Sequence, residues 1–158
     1  MDELSNGNNI NENEAKENKT NMAAEMFKAY LEAKEIKYKF NAPSSFWLYF
    51  NLKNDTELTT DINVEFSENE KYAFITAGKF VRVTNKEKYK DLYKLLNELN
   101  VRWNWIKFLL LEESGEILAV HDAIIQYDSC GEEIFELLGR MIGVIEESYS
   151  DIMKAIWN

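Results

Sequence analysis

The stretch Leu95-Leu96-Asn97-Glu98-Leu99-Asn100 indicates the fold of this chain more clearly than any other part of the sequence. An amphipathic helix runs into it, and an aromatic segment from residue 101 to about residue 126 leaves it. Asparagine tolerates the left-handed backbone conformation and can hydrogen-bond its own backbone, so Asn97 and Asn100 suit the end of a helix. We therefore predict that the helix stops at these asparagines and that a β-hairpin starts directly after them.

The predicted hairpin pairs residues 101–111 with residues 116–126. Its turn is the polar segment that ends in Gly115, which can supply the positive φ of a short loop. The helix before the hairpin carries an apolar stripe at steps of three and four. Thr84 stands three residues before Glu87, which is the spacing of a capping box, so we predict that this helix starts at Thr84.

Before this helix the sequence predicts one further helix and a run of strands. The first helical pattern begins at Asn21 and fades near Lys34, with apolar residues at steps of three and four. Strands are predicted at residues 36–40, 46–52, 62–66 and 72–83. The last of them is kinked near Gly78. Segment 46–52 is apolar on both faces, so it is covered on both sides or pairs with a second subunit.

A long amphipathic helix closes the chain after Ser129, whose spacing to Glu132 again fits a capping box. Gly139 and Gly143 lie inside this helix, where each costs up to about 1 kcal/mol relative to alanine. A compensating close approach is therefore predicted at these glycines. The approach can be to another element of the same chain or to a second subunit, and both versions stay open.

Length and charge favour a single soluble domain and exclude several classes of partner. With 158 residues the chain fits one domain. We assign residues 1–20, which are polar, to a disordered tail and residues 21–158 to one α+β domain. The net charge of −10 opposes binding to phosphate backbones, so no nucleic acid and no membrane is expected as a partner. The sequence shows one cysteine and neither a signal peptide nor an apolar span, so a cytoplasmic location is expected.

Without the short strand at residues 36–40, the predicted order is α-β-β-β-α-β-β-α, a twisted antiparallel sheet of about five strands packed by three helices. The stretch 95–100, the pair Lys107-Phe108, the acidic turn Glu113-Ser114-Gly115-Glu116 and the amphipathic helix that runs to Trp157 complete the pattern. On these residues the chain resembles the YbjN family, also called bacterial sensory transduction regulator domains, over roughly residues 25–157. It departs at Ile106, where a small residue is expected.

The resemblance implies a fold similar to that of the type III secretion chaperones, commonly as a dimer. It also implies that the domain has no catalytic residues. It does not define a biochemical role, because one fold can support many functions.

Three features invite a catalytic or metal-binding interpretation, and a structural role is favoured for each. His121 and Asp122 are neighbours in a predicted strand and so point to opposite faces; a general base or a pH-sensitive contact at His121 is the alternative. Cys130 lies at the start of the last helix, where a thiol pKa can fall, but no base accompanies it and a small buried thiol is predicted. The acidic segment 54–61 lacks the spacing of an EF-hand loop. We therefore predict no catalytic residue, no metal and no cofactor.

Trp103 and Trp105 are the strongest candidates for contact with a partner. In the predicted strand they share one face, and Arg102 lies on the other. Tryptophan and arginine are enriched among the residues that dominate protein interfaces. The same rings could instead pack under the last helix, so core and interface both stay open.

The residues and the resemblance together favour a non-catalytic, chaperone-like or regulatory module that binds a partner protein and forms a homodimer. The predicted partner-binding residues are Trp47, Tyr49, Arg102, Trp103 and Trp105. The alternative is a regulator that senses a small ligand in a pocket between the sheet and the helices. An enzyme built on His121 with Asp122, or on Cys130, is the least favoured class.

Overall fold

The computed structural model of the chain describes residues 20–42, 44–52 and 59–157. The predicted tail lies outside the described residues except for Thr20, and so does most of the acidic segment 54–61. The helices are α1 (Met22–Ala33), α2 (Tyr89–Arg102) and α3 (Cys130–Trp157), and a 3-10 turn at Lys86–Lys88 precedes α2. The strands are β1 (Lys39–Ala42), β2 (Ser45–Asn51), β3 (Thr59–Phe66), β4 (Tyr72–Arg82), β5 (Lys107–Leu111) and β6 (Glu116–Ile124).

The strands form one antiparallel sheet in the order β1-β2-β3-β4-β6-β5. The predicted fold class is confirmed, with six strands in place of about five. One face of the sheet is buried, and its side chains join the buried side chains of all three helices in one apolar cluster. The sheet contributes, among others, Phe46, Ile62, Ile75 and Phe108 to this cluster. The core therefore lies between one sheet face and the helices, as the alternating pattern of the strands requires.

Two local predictions hold, the start of the first helix at Asn21 and the kink in β4. Asn21 caps α1, because its side chain accepts a hydrogen bond from the amide of Ala24 at 3.0 Å. The same side chain donates to the carbonyl of Ser67 at 3.0 Å and so ties α1 to the turn between β3 and β4. The predicted kink near Gly78 is present as a register shift in the pairing of β4 with β6, where Lys79 has a φ of +62°.

Both predicted capping boxes are wrong, because other residues form the hydrogen bonds at the two helix starts. Asn85, not Thr84, caps the turn before α2, because its side chain accepts a hydrogen bond from the amide of Glu87 at 3.0 Å. An asparagine side chain commonly accepts a hydrogen bond from the amide two residues ahead of it, as it does here. At α3 the hydroxyl of Ser129 donates to the carboxylate of Glu133 at 2.6 Å, not to that of the predicted Glu132. Glu133 lies one helical turn after Ser129.

The helix α2 continues through both asparagines to Arg102, and β5 begins only at Lys107. The prediction that the hairpin starts directly after Asn100 is therefore wrong over residues 101–106. Asn97 is an exposed residue inside the helix. Its position three residues before Asn100 therefore marks no boundary.

The side chain of Asn100 instead forms its hydrogen bonds with strand β5. Its Oδ1 accepts a hydrogen bond from the amide of Phe108 at 2.6 Å, and its Nδ2 donates to the carbonyl of Phe108 at 3.1 Å. The end of the helix is closed by Lys107, whose Nζ donates to the carbonyls of Asn100 and Trp103 at 2.7 and 3.0 Å. A cation near the helix C-terminus is favourable for the helix dipole as well. The helix can thus run past its asparagines because residues of the next strand satisfy its last carbonyls.

The close approach of α3 to another helix occurs at Gly131, not at Gly139 or Gly143. A Cβ on Gly131 would lie 2.5 Å from Cβ of Tyr30 in α1. A Cβ on Gly139 or Gly143 would meet no atom within 4 Å. The intramolecular version of the glycine prediction is therefore wrong, because this side of α3 has no neighbour in the described part of the chain. The version with a second subunit stays a prediction.

Substituting Gly131 with alanine is expected to destabilise the fold by about 2 kcal/mol, because α1 and α3 must separate to admit the methyl group. Gly139→Ala is the matched control and should stabilise the fold by up to about 1 kcal/mol through helix propensity alone. Urea unfolding followed by circular dichroism measures both changes. Equal changes in the two variants would contradict the assignment of the close approach to Gly131.

Candidate functional site

The sheet has a second face that no other described element covers, which we call the outer sheet face. Its apolar members are Trp47, Tyr49, Tyr72, Phe74, Leu109, Leu118, Val120 and Ile124, and β3 contributes the polar residues Asp61, Asn63 and Glu65 to the same face. Strand pairing aligns Trp47, Asn63, Thr76 and Val120 across β2, β3, β4 and β6. Tyr49 and Phe74 are 51% and 43% exposed. A chain with a net charge of −10 thus leaves apolar side chains in solvent across a sheet face, which is typical of an interaction surface.

Two of the predicted partner-binding residues, Trp47 and Tyr49, lie on this face. Phe46 and Leu48, their neighbours in β2, are fully buried on the core side. Trp47 is half-buried, and Nζ of Lys39 lies 5.2 Å from the ring centroid of Tyr49. The alternative that this strand is covered on both sides is wrong within the described chain, and the alternative that it pairs with a second subunit stays a prediction. Only one of the two faces is covered within the described chain.

The connection between α2 and β5 borders a cleft of about 780 Å³, which we call the connector cleft. Its walls are the connection at residues 103–106, the end of β6 at residues 121–124, and a side of α3 that includes Leu137, Gly143 and Val144. Because no atom lies within 4 Å of the position of a Cβ on Gly143, the glycine widens the cleft. Its volume is in the range of pockets that hold small ligands.

Trp103, Trp105 and Arg102 lie outside any strand, so the prediction that the tryptophans share a strand face is wrong. The ring of Trp103 is half-buried, and its Nε1 donates a hydrogen bond to the hydroxyl of Ser148 in α3 at 3.0 Å. Trp105 is 72% exposed at the mouth of the connector cleft. Arg102 pairs with Asp151 of α3 at 3.5 Å. Trp103 therefore contributes to packing, and Trp105 is accessible to a partner.

Substituting Trp103 with phenylalanine should cost about 1–2 kcal/mol, because the fully buried hydroxyl of Ser148 loses its hydrogen-bond donor. Trp105→Phe, the same substitution at an exposed position, should change stability by no more than about 0.5 kcal/mol. Thermal unfolding of the two variants tests this division. A larger loss for Trp105→Phe than for Trp103→Phe would show that the roles are reversed.

His121 holds the connection against β6. Its Nδ1 donates to the carbonyl of Trp105 at 2.8 Å, and the side chain is almost fully buried. Strand pairing places His121 on the core face beside Ile75 and Asp122 on the outer sheet face beside Phe74. The two residues therefore point to opposite faces, as predicted, and do not form a catalytic pair.

Cys130 is a buried thiol, as predicted. It is 1% exposed, and its Sγ donates to the carbonyl of Ala23 at 3.6 Å. Burial, with a smaller contribution from the charge of Glu133, raises the pKa of the thiol to about 11. A nucleophilic cysteine needs the opposite shift, so a position at the start of α3 does not make this thiol reactive.

The described ranges contain neither a candidate metal site nor a candidate membrane-spanning helix. No three His, Cys, Asp or Glu side chains come close enough there to hold a metal ion. None of the described helices has the length and apolar character needed to cross a membrane.

The five predicted partner-binding residues thus fall on two surfaces. Trp47 and Tyr49 lie on the outer sheet face, whereas Arg102, Trp103 and Trp105 lie at or beside the connector cleft. Residues 121–124 of β6 and the α3 wall of the cleft were not predicted. Strand alternation could have placed Asp122 and Ile124 on one face, but the cleft exists only because β5 starts at residue 107, which the sequence pattern misplaced.

Comparison of the sequence with family models gives no match, and comparison with curated proteins gives none either. Among solved structures, the crystal structure of YbjN from E. coli, described as a candidate transcription regulator, is similar to this chain. The TM-score is 0.59 over 80% of this chain and 91% of that chain, at 12% sequence identity. At this identity the similarity concerns the fold. The chain therefore has a YbjN-like fold, in agreement with the residues that suggested the resemblance.

Proposed function

We propose that this protein is a non-catalytic cytoplasmic regulator that acts by binding proteins and that forms a homodimer through its outer sheet face. The observation that carries the proposal is the exposed apolar face on a chain of net charge −10. YbjN, whose fold is similar, is described as a candidate transcription regulator. An acidic chain fits regulation through protein contact better than binding to a phosphate backbone.

The size of the outer sheet face supports a second copy of the chain as its occupant. Six strands spaced about 4.8 Å apart and about six residues long span roughly 29 Å by 20 Å, or about 600 Å². Specific, stable protein interfaces bury about 600–1,000 Å² per partner, so the outer sheet face reaches the lower end of this range. A two-fold axis in the plane between two such faces would cover both copies at once, which is the usual geometry of homodimers.

Light scattering on a size-exclusion column tests the dimer. The wild-type protein should show twice the 18.6 kDa chain mass. Phe74→Glu should reduce it to the monomer, because the new carboxylate would lie beside Glu65 and Asp122 of the adjacent strands and would be buried without a cation. Val101→Glu, at an exposed position on α2, should stay dimeric. A monomeric wild type would refute the homodimer, and a dimeric Phe74→Glu would remove it from this face.

The connector cleft favours a second candidate, a regulator that senses a small ligand. Its volume of about 780 Å³ suits such a ligand. A bound ligand raises stability by RT ln(1 + [L]/Kd), so a metabolite set should contain compounds that raise the unfolding temperature. Substituting Gly143 with leucine would fill part of the cleft and should abolish that effect. Stabilisation that persists in Gly143→Leu would place the ligand elsewhere.

A further inference from the structure

Strand β6 is paired on both sides only as far as Val120. Lys107, the first residue of β5, lies opposite Val120. On the other side, β4 pairs with β6 to its end, where Tyr72 lies opposite Ile124. Residues 121–124 of β6 therefore have a neighbouring strand on the β4 side and none on the β5 side, where the connector cleft lies.

Hydrogen bonds of β5 show which backbone groups of β6 face this open side. Phe108 gives both its N–H and its C=O to the side chain of Asn100, so these groups point away from β6. Backbone direction alternates along an antiparallel strand, so Lys107 points toward β6 and pairs with Val120. The N–H and C=O of Val120 therefore face β5, and so do those of every second residue of β6.

The other side of β6 gives the same alternation. The amide of Ile125 donates to the carbonyl of Lys71 at 2.9 Å, in register with the β4 pairing. Ile125 thus faces β4, and the N–H and C=O of Asp122 and Ile124 face the open side. Among the described residues no hydrogen bond reaches these groups from that side. An unpaired edge of this kind is a template for another strand.

We propose that an extended segment of a partner protein adds to the sheet at Asp122 and Ile124, in line with β5 and inside the connector cleft. The inference rests on the protein-binding function proposed above and gives that function a second surface. Strand addition draws its affinity from backbone hydrogen bonds and its specificity from alternate side chains. Donors and acceptors at strand spacing suit a peptide better than a small molecule.

The surroundings of the edge indicate the chemistry of the segment. Ile124 and Trp105 are 78% and 72% exposed and offer apolar contacts. Asp122 and Glu147 line the cleft and take part in no ion pair with another described residue. Arg140, the basic residue of the lining, is already paired with Glu136 in α3. The segment should therefore combine lysine or arginine with β-branched apolar residues.

Capped heptapeptides test the proposal by isothermal titration calorimetry on the full chain. The peptide KVKVTVK should bind, and its counterpart with N-methyl groups on alternate amides should bind at least tenfold more weakly, because it lacks the backbone donors. The acidic peptide EVEVTVE should also bind at least tenfold more weakly. Amide exchange at Asp122 and Ile124 should slow in the complex with KVKVTVK.

Two variants locate the site. Ile124→Pro removes an N–H that faces the open side and no hydrogen bond to β4, so it should abolish peptide binding, whereas Ile124→Val should retain it. Equal binding of the N-methylated peptide to the wild type would overturn strand addition, whether or not Ile124→Pro folds. If no peptide binds, strand addition is overturned as well. The homodimer is unaffected by that result, because light scattering tests it separately. Stabilisation by a metabolite without peptide binding would assign the cleft to ligand sensing instead.

Discussion

Substituting alanine for Gly115 is expected to lower the free energy of unfolding by about 3 kcal/mol. Gly115 closes the β5–β6 turn with a φ of +73°, a conformation that costs a residue with a Cβ about 1–2 kcal/mol. The added Cβ would also lie 2.1 Å from the carbonyl oxygen of Val83. That oxygen belongs to the backbone, and the amide of Val83 donates to the carbonyl of Gly115 at 2.8 Å. The clash therefore cannot be relieved by a side-chain movement.

Urea unfolding of Gly115→Ala and of two companions separates these causes. Glu113→Ala changes an exposed residue of the same turn and should leave stability within about 0.5 kcal/mol. Gly115→Asn relieves the φ penalty, since asparagine tolerates the left-handed region, but keeps the clash with Val83. Full recovery in Gly115→Asn would mean that φ alone requires the glycine.

Substituting alanine for Asn100 is expected to cost about 3 kcal/mol, because the amide and the carbonyl of Phe108 both lose their partner. Phe108 is 1% exposed, so water does not readily replace the side chain. The loss should appear in the urea midpoint and in faster exchange of the Phe108 amide. This loss of stability measures the contribution of the junction between α2 and β5, and that junction positions the connector cleft.

Asn97→Ala provides the matched control. It is the same substitution three residues earlier, at an exposed helical position, where alanine has the better helix propensity. Stability should rise slightly or stay unchanged. Asn100→Asp keeps an acceptor for the amide of Phe108 but replaces the donor with an oxygen that repels the carbonyl of Phe108, so it should be nearly as costly as Asn100→Ala. A small effect of both Asn100 variants would mean that the two hydrogen bonds to Phe108 add little to stability.

Much of the fold follows from patterns that are local in sequence. The alternation of apolar and polar residues places Ile62 and Val64 in the core, and the same period separates His121 from Asp122. The apolar stripe of α1 and the positive φ of Gly115 were predicted for the same reason. Each depends on the geometry of one strand, helix or turn, which few residues determine.

The candidate site was predicted less well, because its features depend on residues distant in sequence. The sequence pattern singled out Trp103 and Trp105 but placed them in a strand. Because α2 runs to Arg102 and β5 begins only at Lys107, both rings lie in the connection between them. Gly131 was overlooked for the same reason. Its contact with Tyr30 joins elements that lie far apart along the chain, and no spacing within α3 reports it.

The sequence by itself determined the class of fold, the order of its elements and the core face of the strands that alternate between apolar and polar residues, because side-chain periodicity reflects backbone geometry directly. Only the tertiary structure decided where β5 begins, which glycine permits close packing and which sheet edge stays open. Asn100 and Lys107 show why. Each side chain can satisfy either its own helix or the neighbouring strand, and the choice is made by the backbone groups that packing brings within hydrogen-bonding distance.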